Sequence, residues 1–364
     1  MTYTILLYLL ILILYCINRN SNKRFLLCAF VLVGLYLGVR YNYMPDYVHY
    51  HRLFNIYNSY TNYKYDPEYE HVEYGWFVLN RLFGFIGYFG FVFVCSCLFA
   101  YANYIFFKTQ KIENKYLIVS IFGMITCANF SVLSSAQRQF VATTVFLLAY
   151  RYCIYGKITR IRDLISANAL IYYMLIWIAS MFHASAIILE VIPFLYFFPY
   201  KNKIILFGSG IVFIAVLFVG ESFLPAIMNS IIEQSDSYGY LMGTTTSNDH
   251  TILGVSMMIL RVFMLLFVLL KYNINREHAV VLLVAYISAL FIASTYSVVQ
   301  IDRLSFYLIA FDYLSYAIVL KYLPVAYRRI YFCIIGFWFI WGVFKIFQPT
   351  IYDWQTYKTI FSVL

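Results

Sequence analysis

The chain has 364 residues, of which 63% are hydrophobic and only 12% are charged. A soluble domain is about half apolar and about a quarter charged, so this composition, with a mean hydropathy of +0.76, excludes an ordinary soluble protein. The net charge of +10 has a topological cause in a membrane protein, because Lys and Arg accumulate in cytoplasmic loops. No nucleic acid partner is therefore expected.

Long apolar runs follow one another along the whole chain. A membrane core contains no water, so its spans are helices or a closed barrel. Continuous apolar runs of about 15 to 22 residues are typical of helices, whereas barrel strands alternate. We predict an all-α polytopic membrane protein with about twelve transmembrane helices. The runs lie at residues 3–17, 25–39, 86–107, 116–133, 139–155, 164–182, 184–200, 204–219, 252–271, 280–299, 304–320 and 330–347.

Basic residues mark every second connection between these runs. These connections lie at residues 18–24, 108–115, 151–163, 201–203, 271–279 and 321–329. By the positive-inside rule they face the cytoplasm, which places both termini outside. The outer side then receives two long connections, at about 40–85 and 220–251, and we expect residues 1–364 to form a single integral membrane domain.

The first outer connection opens with a dense polar segment, residues 40–52, which holds two arginines, one carboxylate and two histidines. From Asp46 onward, aromatic residues recur every three or four positions, which predicts an amphipathic helix lying flat at the outer membrane surface. These aromatic residues are Tyr47, Tyr50, Phe54 and Tyr57. The second connection, residues 220–251, is expected to be a loop, because its turn residues lack any period.

Four ionisable residues from distant parts of the chain are expected at one depth on the outer side. Arg40 ends the second run, Arg138 begins the fifth, His183 lies between the sixth and seventh, and Arg303 begins the eleventh. Charge beside a bilayer is expensive and is usually functional. Guanidinium groups bind phosphate in a bidentate way, so these arginines suggest a site for a lipid-linked phosphate or pyrophosphate.

Each of these residues also has a purely structural interpretation. Arg40 lies where arginines commonly extend towards lipid headgroups, and Arg303 has a neighbouring ion-pair partner in Asp302. Asp46 suits the cap of the helix that follows it, and His183 suits a hydrogen bond between helices. The outer tyrosines are typical of an interfacial aromatic belt. Both interpretations stay open at this point.

The sequence lacks the motifs of common soluble enzymes. It has no glycine-rich phosphate loop, no His-Glu-x-x-His, no Gly-x-Ser-x-Gly and no Asp-x-Asp pair. The seven cysteines all lie in apolar runs, which favours buried free thiols over a metal or disulfide framework. Any chemistry is expected to be independent of metals and cofactors and to lie on the outer side.

Five short motifs occur in order along the chain. They are Arg40…Pro45-Asp46-Tyr47-x-x-Tyr50…Phe54, Glu73-x-Gly75-Trp76, Arg138-Gln139-x-x-Ala142, Phe182-His183-x-Ser185, and Arg303 near Tyr307. In this order and on a common outer side, they resemble the EpsG-like branch of the Wzy-type polysaccharide polymerases. The resemblance covers nearly the whole chain and implies a GT-C-like membrane glycosyltransferase in the bacterial inner membrane, with its site facing the periplasm or the outside.

The resemblance also implies a reaction and its partners. Such enzymes join oligosaccharide repeat units carried on undecaprenyl pyrophosphate, as in lipopolysaccharide O-antigen or exopolysaccharide synthesis. The growing glycan moves from its lipid pyrophosphate to the nonreducing-end sugar of a fresh lipid-linked unit, so no nucleotide sugar or other cofactor is needed. Membrane lipids are the remaining expected partner, and binding of a chain-length regulator is left open.

This reaction suggests a role for each candidate residue. Arginines stabilise the charge that develops on a departing pyrophosphate, and a base within hydrogen-bond reach takes the acceptor's proton. The candidates are Arg138, Arg303 and then Arg40 for the pyrophosphate, Asp46 and then His183 for catalysis as the base, and Tyr47, Tyr50 and Glu73 for the sugars. Glu73 is also a candidate base.

Two other functions remain possible at this stage. A flippase for the same lipid-linked unit would favour charges along a central pathway and two related halves, whereas the charges here gather at one side. Ligation of a finished glycan, as in the O-antigen ligases, would use a closely similar site and is not separated from polymerisation by the sequence.

Overall fold

A computed structural model describes residues 2–19, 21–43, 45–59, 73–126, 128–233, 252–294, 302–347 and 358–360. The chain divides into two compact units, of which the first comprises Met1–Pro193 with Phe339–Leu364 and the second comprises Phe194–Trp338. The sequence predicts a single integral domain, and we describe each unit by itself.

Helices account for nearly all of the described residues. In chain order they are α1 (Thr2–Ile17), α2 (Asn22–Gly38), α3 (Pro45–Ser59), α4 (Tyr74–Leu82), α5 (Gly87–Thr109), α6 (Asn114–Ile125), α7 (Ala128–Ser135), α8 (Gln137–Tyr155), α9 (Ala167–Ser180), α10 (Lys203–Glu233), α11 (Ile252–Lys271), α12 (Arg276–Ser294), α13 (Asp302–Tyr307), α14 (Ile309–Tyr322) and α15 (Val325–Phe347). Shorter 3₁₀ segments are Gly84–Ile86 and Ile161–Ile165, and a longer one is Ala184–Phe197. Two short strands, β1 (Arg40–Tyr41) and β2 (Lys358–Thr359), pair antiparallel.

The helices confirm an all-α membrane protein. Three of those described are long and apolar enough to cross a bilayer, namely Gly84–Thr109, Gly254–Lys271 and Arg276–Ser294. Five further apolar helices have 10–17 residues, namely Tyr3–Ile17, Asn114–Ile125, Ala167–Ser180, Ala184–Phe197 and Lys203–Val219. The number of about twelve spans and the GT-C-like arrangement stay predictions.

Two apolar runs differ from one regular α-helix. Residues 184–200 form the 3₁₀ helix Ala184–Phe197, which contains Pro193; proline cannot donate the backbone hydrogen bond that an α-helix needs. Residues 304–320 are divided between α13 and α14 at Leu308, where hydrogen bonds from Leu308 N to Ser305 O and from Asp312 N to Leu308 O carry the helix onward.

The prediction of a loop at residues 220–251 is wrong over the first part of that stretch. Helix α10 continues to Glu233, because the stretch 223–232 is again rich in apolar residues and keeps the helix going after the polar residues at 221–222. Residues 234–251 lie outside the described residues, and so does the stretch 60–72 of the first outer connection.

Helix α3 confirms the amphipathic helix in the first outer connection but changes what covers its aromatic face. That face packs against α4, α5, α7 and α8. Ring centroids of Tyr47 and Tyr88 lie 5.1 Å apart, and those of Phe54 and Phe91 lie 5.6 Å apart. The aromatic face is therefore buried by protein, whereas the sequence predicted that it would lie against the membrane surface.

In the first unit, connections that the charge pattern predicts on the same side lie close together. Two of the basic connections meet where Asn114 Nδ2 donates to the carbonyl oxygen of Asn18 at 3.0 Å. At another place the segment after α2 meets the end of α7, where Arg40 Nη2 donates to the carbonyl oxygen of Ser134 at 2.5 Å. Strand β2, near the C-terminus, pairs with β1 through Arg40 and Thr359. The C-terminal segment thus lies beside a segment predicted to be on the outer side.

Basic connections also come together in the second unit. Lys201 Nζ lies 3.2 Å from Asn273 Oδ1, and the backbone N–H of Asn275 donates to the Tyr322 hydroxyl at 3.4 Å. The connections at 201–203, 271–279 and 321–329 thus share one end of this unit. That they face the cytoplasm remains a prediction of the positive-inside rule.

Candidate functional site

Glu73 is the centre of a polar cluster in the first unit. Its Oε2 accepts a hydrogen bond from Arg138 Nη1 at 2.7 Å, and its Oε1 accepts one from the backbone N–H of Ala184 at 3.1 Å. His183 Nδ1 lies 3.5 Å from the same Oε1. One carboxylate therefore joins three of the five sequence motifs.

The start of α4 explains how Glu73 reaches this position. Glu73 is the N-cap residue of α4 in an extended conformation and makes no side-chain cap hydrogen bond, so its carboxylate is directed to other partners. A Cβ atom on Gly75 would lie only 2.7 Å from the Met181 carbonyl oxygen. Glycine therefore allows the first turn of α4 to approach the turn that carries His183. Trp76, fully buried, packs edge-on against Tyr50 with ring centroids 5.5 Å apart.

Arg138 lies in the first turn of α8 and retains some exposure. Its Nε donates to the Tyr50 hydroxyl at 3.3 Å and its Nη1 donates to Glu73, while its side chain is 31% exposed. Among the described residues no acceptor is bound to its Nη2. The edge of the guanidinium that faces Glu73 is thus occupied, and another donor remains for an anion from outside the chain.

The electrostatic environment keeps Glu73 ionised. Its burial favours the neutral acid, but the neighbouring His183 imidazole and the positive charge of Arg138 outweigh this and lower the pKa of Glu73 to about 2. Burial raises the pKa of Tyr50 even though Arg138 opposes the shift, so the phenol stays protonated at neutral pH. The cluster therefore contains a permanent carboxylate and a permanent guanidinium next to an imidazole.

Arg40 is buried within the protein. Its side chain is fully buried, with Nη1 donating to the Leu37 carbonyl oxygen at 2.8 Å and Nη2 donating to that of Ser134 at 2.5 Å. The guanidinium lies over the Phe140 ring, 5.6 Å from its centroid. In this position Arg40 holds the end of α7 in place just before Arg138, and its predicted contact with a pyrophosphate stays a prediction.

The other candidates in helix α3 differ in exposure. Tyr47 is 1% exposed, and its carbonyl oxygen accepts from the Tyr88 hydroxyl at 3.2 Å. Asp46 is half-buried in the first turn of α3, close enough to Tyr50 for its charge to help raise the tyrosine's pKa. Within the described part of the chain, Asp46 has no hydrogen-bond or ion-pair partner. The roles predicted for these residues stay predictions.

Arg303 belongs to the second unit. It is exposed on the short helix α13. That Arg303 binds the pyrophosphate together with Arg138 remains a prediction.

Two charged residues of the second unit were missed by the sequence analysis. Arg261 in α11 and Asp312 in α14 form an ion pair. The available signal was the presence of a single charge inside each of two apolar runs, at 252–271 and 304–320. Among the described residues no group of three His, Cys, Asp or Glu side chains is placed to hold a metal ion.

Comparisons with known proteins point to one family. The sequence model of the EpsG family matches residues 23–359, a range that contains every candidate residue from Arg40 to Arg303. No curated protein and no solved structure matches the chain.

Proposed function

The chain belongs to the EpsG family, and from this we propose that it is a polymerase that joins undecaprenyl-pyrophosphate-linked oligosaccharide repeat units at the outer face of the bacterial inner membrane. Family membership and the apolar helices support a membrane protein of polysaccharide biosynthesis with polymerase-like glycosyltransferase activity. The lipid-linked donor, the leaving group and the side of the membrane are the finer parts of the proposal.

The observation that carries this proposal is the convergence of Arg138, Glu73 and His183. These residues come from three separate motifs, and the contacts between Glu73 and its partners bridge 65 and 111 positions of the chain. A guanidinium and an imidazole held by one ionised carboxylate supply an electrophilic group and a candidate base side by side. Glycosyl transfer from a lipid pyrophosphate needs both.

Arg138 is suited to stabilise the leaving group. When the bond between the anomeric carbon and the pyrophosphate oxygen breaks, negative charge grows on that oxygen, and a pre-positioned donor stabilises it. Glu73 and Tyr50 hold Nη1 and Nε of Arg138, which prevents the side chain from having to reorganise during the reaction. Nη2 is the donor that we assign to the phosphate oxygen.

His183 is the base that the geometry favours over Asp46. Nδ1 lies beside the Glu73 carboxylate, and we assign Nε2 of the imidazole to accept the proton of the acceptor hydroxyl, with the carboxylate stabilising the imidazolium that results. The hydroxyl oxygen then bonds to the anomeric carbon, and the lipid pyrophosphate departs with the bonding electrons. Glu73 itself, with a pKa of about 2, is a weak base, and we assign it to positioning.

Expression of single variants in a cell that lacks its own copy tests this assignment, with the glycan length distribution read on a gel. We expect Arg138→Ala and His183→Ala to leave single repeat units at normal protein levels. Arg81→Ala is the matched control, because Arg81 is an exposed arginine of α4 in the same outer connection. If both site variants made chains of normal length, the assignment would be wrong.

A further inference from the structure

The strongest unexplained feature is a buried ion pair in the second unit. Arg261 Nη2 donates to Asp312 Oδ1, and the two side chains are only 12% and 7% exposed. The guanidinium also lies over the Tyr316 ring, 5.6 Å from its centroid, which adds a cation–π contact. Both charges are thus satisfied by neighbouring helices, since Arg261 is in α11 and Asp312 is in α14.

Arg261 lies near the middle of Gly254–Lys271, which is long and apolar enough to cross a membrane, and Asp312 lies in the middle of the predicted run 304–320. Arg261 precedes Lys271, at the basic end of α11, by ten residues, or roughly 15 Å of helix. Asp312 precedes Lys321, at the basic end of α14, by nine residues, or roughly 14 Å. The two distances agree with each other and equal about half of a hydrocarbon core, so the pair joins the helices at the same depth.

Asp312 is also connected to a candidate site residue. The hydrogen bonds around Leu308 make α13 and α14 one nearly continuous helical segment, and Arg303 lies nine residues before Asp312 in it. At the rise of a helix this places Arg303 roughly 14 Å nearer the predicted outer end. The depth of Asp312 therefore sets the depth of Arg303.

We propose that Arg261 and Asp312 are a positioning pair that fixes the depth of α14 in the membrane and thereby holds Arg303 at the outer surface. A uniformly apolar α14 would be held at its depth by side-chain packing alone. A charge in mid-membrane is costly unless it meets its partner, so only one depth satisfies both residues. Fixing register is the best-attested use of such buried polar groups. The link to catalysis rests on the proposed function, whereas the depth of α14 does not.

The test measures the depth of residue 303 directly. In a chain whose seven cysteines are replaced by alanine, Arg303→Cys is labelled with a membrane-impermeant maleimide on intact cells. We expect Asp312→Leu to change the labelling rate several-fold, and Arg261→Met/Asp312→Leu to change it as well while retaining the thermal stability of the parent. The charge exchange Arg261→Asp/Asp312→Arg is expected to restore the rate, because a positioning pair works in either orientation.

Ser315→Ala is the matched control. Ser315 is buried one turn from Asp312 and donates its hydroxyl to the Asp312 carbonyl oxygen at 2.6 Å, so this variant alters the same helix without changing a charge. An unchanged labelling rate in the Asp312→Leu and double neutral variants would overturn the proposal. An exchange variant that folds but still shows the altered labelling rate would also overturn it, since a positioning pair restores the depth in either orientation.

Polymer formation is measured separately, with Arg303 intact. If the unaltered protein makes no polymer, the proposed function fails and the labelling result still decides the depth. If it does make polymer, we expect Asp312→Leu to shorten the chains and the charge exchange to lengthen them again. Normal chain length in a variant whose residue 303 has shifted would overturn the link between this depth and the reaction.

Discussion

Arg138 and Glu73 form an ion pair with Nη1 and Oε2 2.7 Å apart, although one lies in the first turn of helix α8 and the other directly precedes helix α4. This pair connects the first outer connection to the middle of the chain. The same carboxylate accepts from the backbone of Ala184, so the position of the His183 turn depends on it.

The guanidinium of Arg138 is expected to be essential in shape as well as charge. Arg138→Ala should reduce polymerisation by roughly 100-fold or more, the usual effect of removing one donor to a developing anion. Arg138→Lys should recover only part of this, because an ammonium group cannot hold Glu73 and bind a phosphate in the same fixed plane. Both effects are measured as initial rates of lipid pyrophosphate release when purified protein reacts with a lipid-linked repeat unit. Equal rates for Arg138→Lys and the unaltered protein would contradict a role for the planar guanidinium.

Glu73 is expected to couple energetically to Arg138. Glu73→Gln keeps the shape but removes the charge, and it should destabilise the protein by an amount between roughly 1 kcal/mol for an exposed pair and roughly 3–5 kcal/mol for a buried one. Thermal unfolding in detergent of Glu73→Gln, Arg138→Ala and the variant that carries both changes measures the coupling. Strictly additive losses would show that the 2.7 Å contact contributes nothing.

The pH dependence of stability follows from the lowered pKa of Glu73. A carboxyl with a pKa of about 2 when folded and near 4.5 when unfolded stabilises the folded state fully above about pH 5. The contribution, roughly 3 kcal/mol at most, is lost as the pH falls from about 4.5 towards about 2. We expect the stability difference between the unaltered protein and Glu73→Gln to shrink as the pH falls below about 4.5. A difference that grew on acidification would reverse the sign of this account.

Gly75 is expected to tolerate no side chain. A Cβ there would lie 2.7 Å from the Met181 carbonyl oxygen and 2.8 Å from the Met181 Cβ, so Gly75→Ala must separate α4 from the His183 turn. We expect a loss of both thermal stability and polymer length. Gly208→Ala is the control, because a Cβ there has no neighbour within 4 Å and alanine favours helix by up to about 1 kcal/mol. Equal behaviour of the two variants would contradict the packing argument.

His183 and Asp46 are distinguished by their single variants. If His183 is the base, His183→Ala should lower the rate by roughly 100- to 10,000-fold, and added imidazole should restore part of it. Asp46→Asn should have a smaller effect, because Asp46 contacts no other charged group in the described part of the chain. A larger loss in Asp46→Asn than in His183→Ala would return the role of base to Asp46.

Much of the helical framework could be predicted from the sequence, because continuous apolar runs have few alternatives in a bilayer. The convergence of Arg138 and His183 also followed, since both begin or end runs on the same predicted side. The sequence could not show what covers an aromatic face: the spacing of Tyr47 and Tyr50 predicts a helix, but the burying partners Tyr88 and Trp76 come from other elements.

The sequence also could not show which residues of distant elements contact one another. Glu73 was one of several outer carboxylates, and only the close approach permitted by Gly75 identifies it as the partner of Arg138. Arg261 and Asp312 each looked like a single charge in an apolar run, and their ion pair depends on how α11 packs against α14. Such contacts are properties of the folded chain, not of any local pattern.

The most direct test of the central claim is the reaction of purified protein with a lipid-linked repeat unit, without metal or nucleotide sugar. We predict a ladder of multiples on the gel with release of free lipid pyrophosphate, and its absence in Arg138→Ala. A folded, substrate-binding preparation of the unaltered protein that leaves the substrate as single units would contradict polymerisation and favour transport or ligation. A normal ladder from Arg138→Ala would contradict the assignment of Arg138 to the departing pyrophosphate.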